Sequence, residues 1–203
     1  MSLFLDIGTG AGLASASGVR PYLPPLLAGG LARGDIGIDF DGTDFSFLES
    51  TGFLAGVVAL GVIAFLAERS RPNRGPAEPP GRAGRGPIEL LAGLIAIVLG
   101  ALLFAAALAD NGHPVWVGLV FGPLCAALGW YAVGGLVERV RTRLEPDQAA
   151  LLTAYADIAA LVLGAIAVFL PPVAFLAIPA FVVLLAGGRR REGEKYAGLR
   201  ILR

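Results

Sequence analysis

The sequence predicts an all-α fold: a polytopic helical membrane protein of about six transmembrane helices, forming a single domain over residues 1–203. Three observations predict it. Hydrophobic residues make up 56% of the chain and charged residues only 16%, against about 25% charged in an ordinary soluble domain, and the mean hydropathy is +0.73. The apolar residues come in long blocks, several of which reach the roughly 20 residues that a helix needs to cross a bilayer. The connections between blocks alternate between basic and acidic or nearly uncharged, as loops on the two faces of a membrane do.

The first block, residues 3–32, contains LDIGTGAGLASASGVRPYLPP. A glycine-rich cofactor loop must follow a buried strand and open a helix. Here too few residues precede Gly8 and no alternating strands follow, so no cofactor is expected. Gly8, Gly12 and Ala16 at four-residue spacing instead make one smooth helix stripe that lets another backbone approach, either within the chain or as the seam of a homodimer. As one helix the block would be about 45 Å long, against a hydrocarbon core of about 30 Å. Gly18, Pro21, Pro24 and Pro25 predict a broken first helix: one segment to about Ser17, a corner, and a short second helix ending near Gly29 and Gly30. Nothing here resembles a cleaved signal, because a basic start is missing and the apolar run continues past any cleavage site.

The remaining blocks are 47–67, 88–109, 115–137, 149–170 and 173–186, the last one short and interrupted by Pro179. The linker 68–87 carries Arg69, Arg71, Arg74, Arg82 and Arg85 among prolines and glycines. The segment 138–147 carries Arg139, Arg141 and Arg143, and the tail 188–203 carries Arg189, Arg190, Arg191, Lys195, Arg200 and Arg203. The opposite connections read GDIGIDFDGTDFSF, DNGHP and PP. Positive segments stay in the cytoplasm, so with six spans both termini are predicted cytoplasmic, in a multi-pass protein of the bacterial inner membrane. FLAGVVALGVIAFL (53–66) echoes DIAALVLGAIAVFL (157–170), and each follows a glycine-rich block with prolines. This suggests an inverted 3+3 repeat of residues 1–109 and 113–187, an arrangement found in transporters.

Charges inside the blocks are the candidate site. Arg20 in the predicted corner stays ionised and needs a partner. Glu49, just inside the outer end of the second block, and Asp157, near the middle of the fifth, compete for it. Asp157 is favoured, since a midplane carboxylate needs a cation more urgently. Thr153 lies one turn before Asp157, and Ala156, Ala160 and Gly164 continue a mostly small face toward the bundle interior. Arg20, Tyr22, Glu49, Thr153 and Asp157 form the candidate substrate-binding set. The loop with Asp35, Asp39, Asp41 and Asp44 lacks the twelve-residue EF-hand pattern and reads as a solvated acidic loop. His113, the only histidine, lacks the fellow ligands of a metal site and caps a turn. Cys125 has no disulfide partner. No nucleophile–base set appears, so neither an enzyme, a metal centre nor a nucleic-acid partner is expected.

GLASASGVRPYLPPLLAGGLAR and the tail KYAGLRILR resemble an uncharacterised bacterial membrane family, domain-of-unknown-function family 4126, most closely over the first two spans. The resemblance implies a small inner-membrane protein and carries no substrate or reaction with it. The residues themselves suggest a small transporter or channel-like protein whose Arg20 binds an anionic solute or lipid headgroup, with Asp157 and Glu49 as counter-charges. The alternative is a structural or accessory subunit of a membrane complex in which the charges only fix helix packing. A water-filled cavity reaching Arg20 favours the first reading. A dry, fully paired Arg20 beside a broad apolar outer groove favours the second.

Overall fold

The structure, a computed structural model, describes residues 2–69, 87–141 and 146–197. Most of the predicted linker 68–87 and basic tail 188–203 lies outside the described residues or outside those whose side chains are described. Among the described residues the fold is all-helical: α1 (Leu3–Val19), α2 (Leu23–Ala32), a 3-10 turn (Ser46–Glu49), α3 (Thr51–Arg69), α4 (Pro87–Ala109), α5 (Val115–Arg141), α6 (Pro146–Phe169), α7 (Pro171–Ala174) and α8 (Ala177–Ala197). Leu90–Ala109, Val115–Val137 and Leu151–Phe169 are long and apolar enough to cross a membrane. Leu3–Val19, Leu23–Ala32, Thr51–Ala67 and Pro171–Gly187 are shorter apolar stretches.

The first block breaks where its prolines predict, with each helix ending two or three residues later than expected. α1 hides two of its polar side chains by back-bonding: Thr9 Oγ1 donates to the Leu5 carbonyl at 3.2 Å and Ser17 Oγ to that of Leu13 at 3.0 Å. Arg20 ends it in an extended conformation (φ −143°, ψ 110°). The residue before a proline is pushed out of the helical region, and Pro21 follows. Pro24 and Pro25 then fall in the first turn of α2, where backbone N–H groups have no helical partner to lose.

The block does not continue in one direction. From Gly8 to Gly12 to Arg20, the residues opposite run from Pro171 to Ala167 to Asp157, so α1 is antiparallel to α6. From Tyr22 to Leu27 to Gly37 they run from Asp157 to Gly164 to Val168. α2 therefore returns toward the end from which α1 started, and the two helices form a hairpin with Arg20–Tyr22 at its tip. α1 is the centre of the bundle, packed on α4, α5 and α6. Gly18 touches the Ala126 carbonyl and the Trp130 backbone of α5 so closely that any Cβ there would collide with them.

The start of α1, the 33–50 loop, the 110–114 turn and the 170–176 segment share one end of the bundle, the acidic end. Phe4 of α1 stacks on Phe175 with ring centroids 4.7 Å apart. Ile38, Phe40, Phe45 and Leu48 fold the acidic loop down onto Leu13, Leu103, Ala167 and Ala174 as one core. α3 leads away from this end, with Leu54 beside Gly29 and Gly61 beside Tyr22. α8 leaves from the same end, where Ile178 packs near Phe104 and Leu108, and lies along α5.

Several expectations need correction. Three described helices are long and apolar enough to cross a membrane, and the first block is a hairpin and not one run along a single axis. The hairpin reverses the chain once more than was counted, so the amino-terminal end of α1 lies at the acidic end and α8 runs away from it. The helix of the second block starts at Thr51, because residues 46–49 form a 3-10 turn, which leaves Glu49 outside it. Pro179 does not interrupt the last helix, since it sits in the first turn of α8, and the break falls at residues 175–176 instead. The echo between the halves matches a hairpin (α1–α2) to one continuous helix (α5), so they differ in their elements. Gly8, Gly12 and Ala16 are buried in the chain's own packing: a Cβ on Gly12 would lie 2.6 Å from that of Ala167, and Ala16 is fully buried. A dimer seam on that stripe has no access to it.

Candidate functional site

The hairpin tip carries the polar centre. Arg20 Nε lies 2.7 Å from Asp157 Oδ1. Its Nη2 donates to the Thr153 carbonyl at 3.4 Å, and the Tyr22 hydroxyl donates to the same Asp157 oxygen at 3.4 Å. Asp157 lies six residues into the apolar window Leu151–Phe169, roughly 9 Å from its nearer end at 1.5 Å per residue. The pair is not sealed: the side chain of Arg20 is 13% exposed and that of Asp157 33%. Beyond the tip the hairpin stops while α3, α5 and α6 continue. α5 and α6 scarcely touch, and Gly134 and Gly135 have nothing within 4 Å of where a side chain would begin.

Four of the five predicted site residues thus come together: Arg20, Tyr22, Thr153 through its carbonyl, and Asp157. Glu49 does not join them, which removes it as the partner of Arg20. Its Oε1 accepts the backbone N–H of Phe40 at 2.7 Å in the acidic loop. Partial burial raises its carboxyl above the ordinary range against the pull of that hydrogen bond, helped by the negative charges of Asp41, Asp39 and Asp35. The small face of α6 points inward as expected, with Ala160 and Gly164 buried and Tyr155 outside.

A second buried charge escaped the sequence reading. Asp6, in the first turn of α1, is 3% exposed. Asn111 Nδ2 donates to its Oδ1 at 3.1 Å, and His113 Nε2 lies 3.2 Å from its Oδ2. His113 therefore ties the α4–α5 turn to α1 rather than merely capping that turn, with Gly112 at φ 70° bending it. An acidic residue inside an apolar run is the signal that marks Asp6. Its partners lie more than a hundred residues away, where no local pattern reaches.

Two further features lie outside the tip. The carboxylates of Asp39, Asp41 and Glu49 gather within 4.8 Å of one another. The two aspartates are exposed, and acidic residues so placed do not by themselves make a cation site. Between α3 and α4 an open groove of about 450 Å³ is lined by Phe53, Gly56, Val57, Leu60, Leu94, Ile95, Val98 and Leu99. Arg20 does not line it.

No protein-family model matches the chain, and no curated protein or solved structure matches it either.

Proposed function

We propose that the chain is a small transporter or channel-like protein of the bacterial inner membrane, in which Arg20 receives an anionic solute or lipid headgroup and Asp157 is the counter-charge that the ligand displaces. The observation that carries this reading is the position of a partly open Arg20–Asp157 pair at the tip of a hairpin, well inside the apolar window of α6. An ionised carboxylate at that depth is costly to hold against hydrocarbon, so the exposed third of Asp157 faces water. Irregular backbone at membrane depth survives where it is buried in protein or lines a polar cavity, and transporters use broken helices there to bind ligands. Arg20 is suited to the role because its planar fork stays charged and grips oxyanions. Tyr22, beside the same carboxylate, supplies a second donor.

The basic segments join the ends of α3, α4, α5 and α6 that lie opposite the acidic end. By the positive-inside rule that end is cytoplasmic, α3 to α6 and α8 cross the membrane, and the hairpin dips in from outside with the amino terminus outside. The side of the tip away from the acidic end then faces the cytoplasm.

The accessory-subunit reading is favoured by the pairing of Arg20 and by the lateral apolar groove. One experiment separates the two. Thermal shifts in detergent are measured against phosphate, sulfate, carboxylates and anionic lipids at fixed ionic strength, with Arg20→Gln as control. Anything that binds only the folded state stabilises it by mass action. The transporter reading requires a shift that Arg20→Gln abolishes, together with flux of the same anion into liposomes. Equal shifts in both proteins, or no shift and no flux, leave the accessory subunit.

A further inference from the structure

The hairpin tip offers a ligand both signs of charge side by side. Arg20 Nε and Asp157 Oδ1 are 2.7 Å apart, and both side chains are partly exposed. Hydrogen-bonding groups of both kinds flank the pair. The Tyr22 hydroxyl is a donor 3.4 Å from Asp157 Oδ1, and the Thr153 carbonyl is an acceptor 3.4 Å from Arg20 Nη2. A site for a bare oxyanion needs donors alone, whereas here each donor has an acceptor beside it.

Charge balance chooses between ligands. An oxyanion that takes Arg20 from Asp157 adds one negative charge to the site, whatever else surrounds it, and sets two like charges side by side. Their repulsion is several times stronger at the effective dielectric of a protein than in water. Asp157 also lies inside the apolar window of α6, where a carboxylate stripped of its cation is costly. A ligand that carries an oxyanion and an ammonium together adds no net charge and exchanges one ion pair for two.

We propose that the ligand of the Arg20 site is a zwitterion with a primary ammonium close to its oxyanion, the chemistry of an amino acid or of an ethanolamine phosphate group. Arg20 and the Tyr22 hydroxyl receive the oxyanion, and Asp157 and the Thr153 carbonyl receive the ammonium. This ligand class rests on the reading of Arg20 as a binding residue and narrows it.

Full-length protein in detergent, at fixed pH and ionic strength, is titrated against three matched series, with binding read by thermal shift. Alanine is compared with propionate and ethylamine, phosphoethanolamine with ethyl phosphate, and phosphatidylethanolamine with phosphatidylglycerol. In at least one series the zwitterion is expected to bind about tenfold more tightly than its matched anion, the worth of a hydrogen bond to a charged group. A soluble zwitterion that does so identifies a solute, and phosphatidylethanolamine alone identifies a lipid headgroup. Arg20→Gln is expected to abolish the shift. Asp157→Asn, which keeps the shape and removes the negative charge, is expected to abolish the preference for the zwitterion. The wild-type comparison decides even if neither variant folds. Matched anions, or ethylamine, binding as tightly as the zwitterions overturn the proposal, and in the first case Arg20 is still an anion site. A preference that survives in Asp157→Asn overturns it too. No shift in any series removes the binding role of Arg20 itself, and the zwitterion with it.

Discussion

Arg20 Nε and Asp157 Oδ1 lie 2.7 Å apart, and this contact closes the hairpin onto α6. Removing one member of a buried ion pair is costly because the other charge is left without a partner. With Asp157 one-third exposed, Arg20→Ala is expected to cost about 3 kcal/mol, the low end of the range for broken buried pairs. Asp157→Asn added to it should recover much of that loss, whereas Glu49→Gln should recover none. Denaturation of the four proteins in one detergent checks this.

Gly18 and Gly30 make a matched test of the hairpin packing. A Cβ at position 18 would collide with the Ala126 carbonyl, while at position 30 it meets nothing within 4 Å. Gly18→Ala is expected to destabilise by about 1–3 kcal/mol through overpacking. Gly30→Ala, inside α2, should be neutral or stabilise by up to about 1 kcal/mol, because glycine loses more chain entropy than alanine in a helix. Comparing the two melting temperatures tests whether α1 touches α5 at this point.

Asp110 at the acidic end gives a pH dependence. Burial raises its carboxyl above the ordinary aspartate range, opposed by the Asp39 backbone N–H that it accepts and reinforced by the charges of Asp39 and Asp6. A folded-state value above the unfolded one means that the protonated form is favoured in the fold. This contribution to stability is greatest below the unfolded value and is lost as pH rises through the folded one. Asp110→Asn keeps an acceptor for Asp39 and removes the charge. It should stabilise the protein at neutral pH and lose that advantage below about pH 4, the ordinary aspartate range, in melting curves measured across pH.

The hairpin also makes a topological prediction. In Cys125→Ala protein, Ser2→Cys and Gly42→Cys should both react with an impermeant thiol reagent outside intact cells, and Pro76→Cys only after permeabilisation. Reaction of Ser2→Cys together with Pro76→Cys would mean that α1 and α2 do not fold back.

Much of this architecture was legible in the chain. The apolar blocks mark the helices because burial of hydrocarbon decides where they lie. Arg20-Pro21 and Pro24-Pro25 mark the corner because proline acts on local dihedral angles. The meeting of Arg20 with Asp157 was legible as a need for charge compensation. What local chemistry does not carry is direction: nothing between Val19 and Leu23 says that α2 turns back, since that follows from the contacts of Leu27 and Gly37 with the distant end of α6. Counting blocks therefore missed that the start of α1 lies at the acidic end, beside Pro171 and Phe175. For the same reason Glu49 looked like a membrane charge when it is a loop charge held by Phe40, and Asp6 was passed over because Asn111 and His113 reach it only through the fold.

Whether water reaches the Arg20–Asp157 pair is the point on which the functional reading stands, and thiol accessibility measures it directly. In Cys125→Ala protein, Asp157→Cys and Ile158→Cys place thiols at nearly the same depth. The side chain at 157 faces Arg20, and the one at 158 faces outward, 57% exposed. A thiol reacts as its thiolate, which forms in water and not in hydrocarbon. An impermeant reagent applied to inside-out vesicles is expected to modify Asp157→Cys and to leave Ile158→Cys untouched. If both remain unmodified while the protein stays folded, the tip is sealed and the chain is no transporter of the kind proposed.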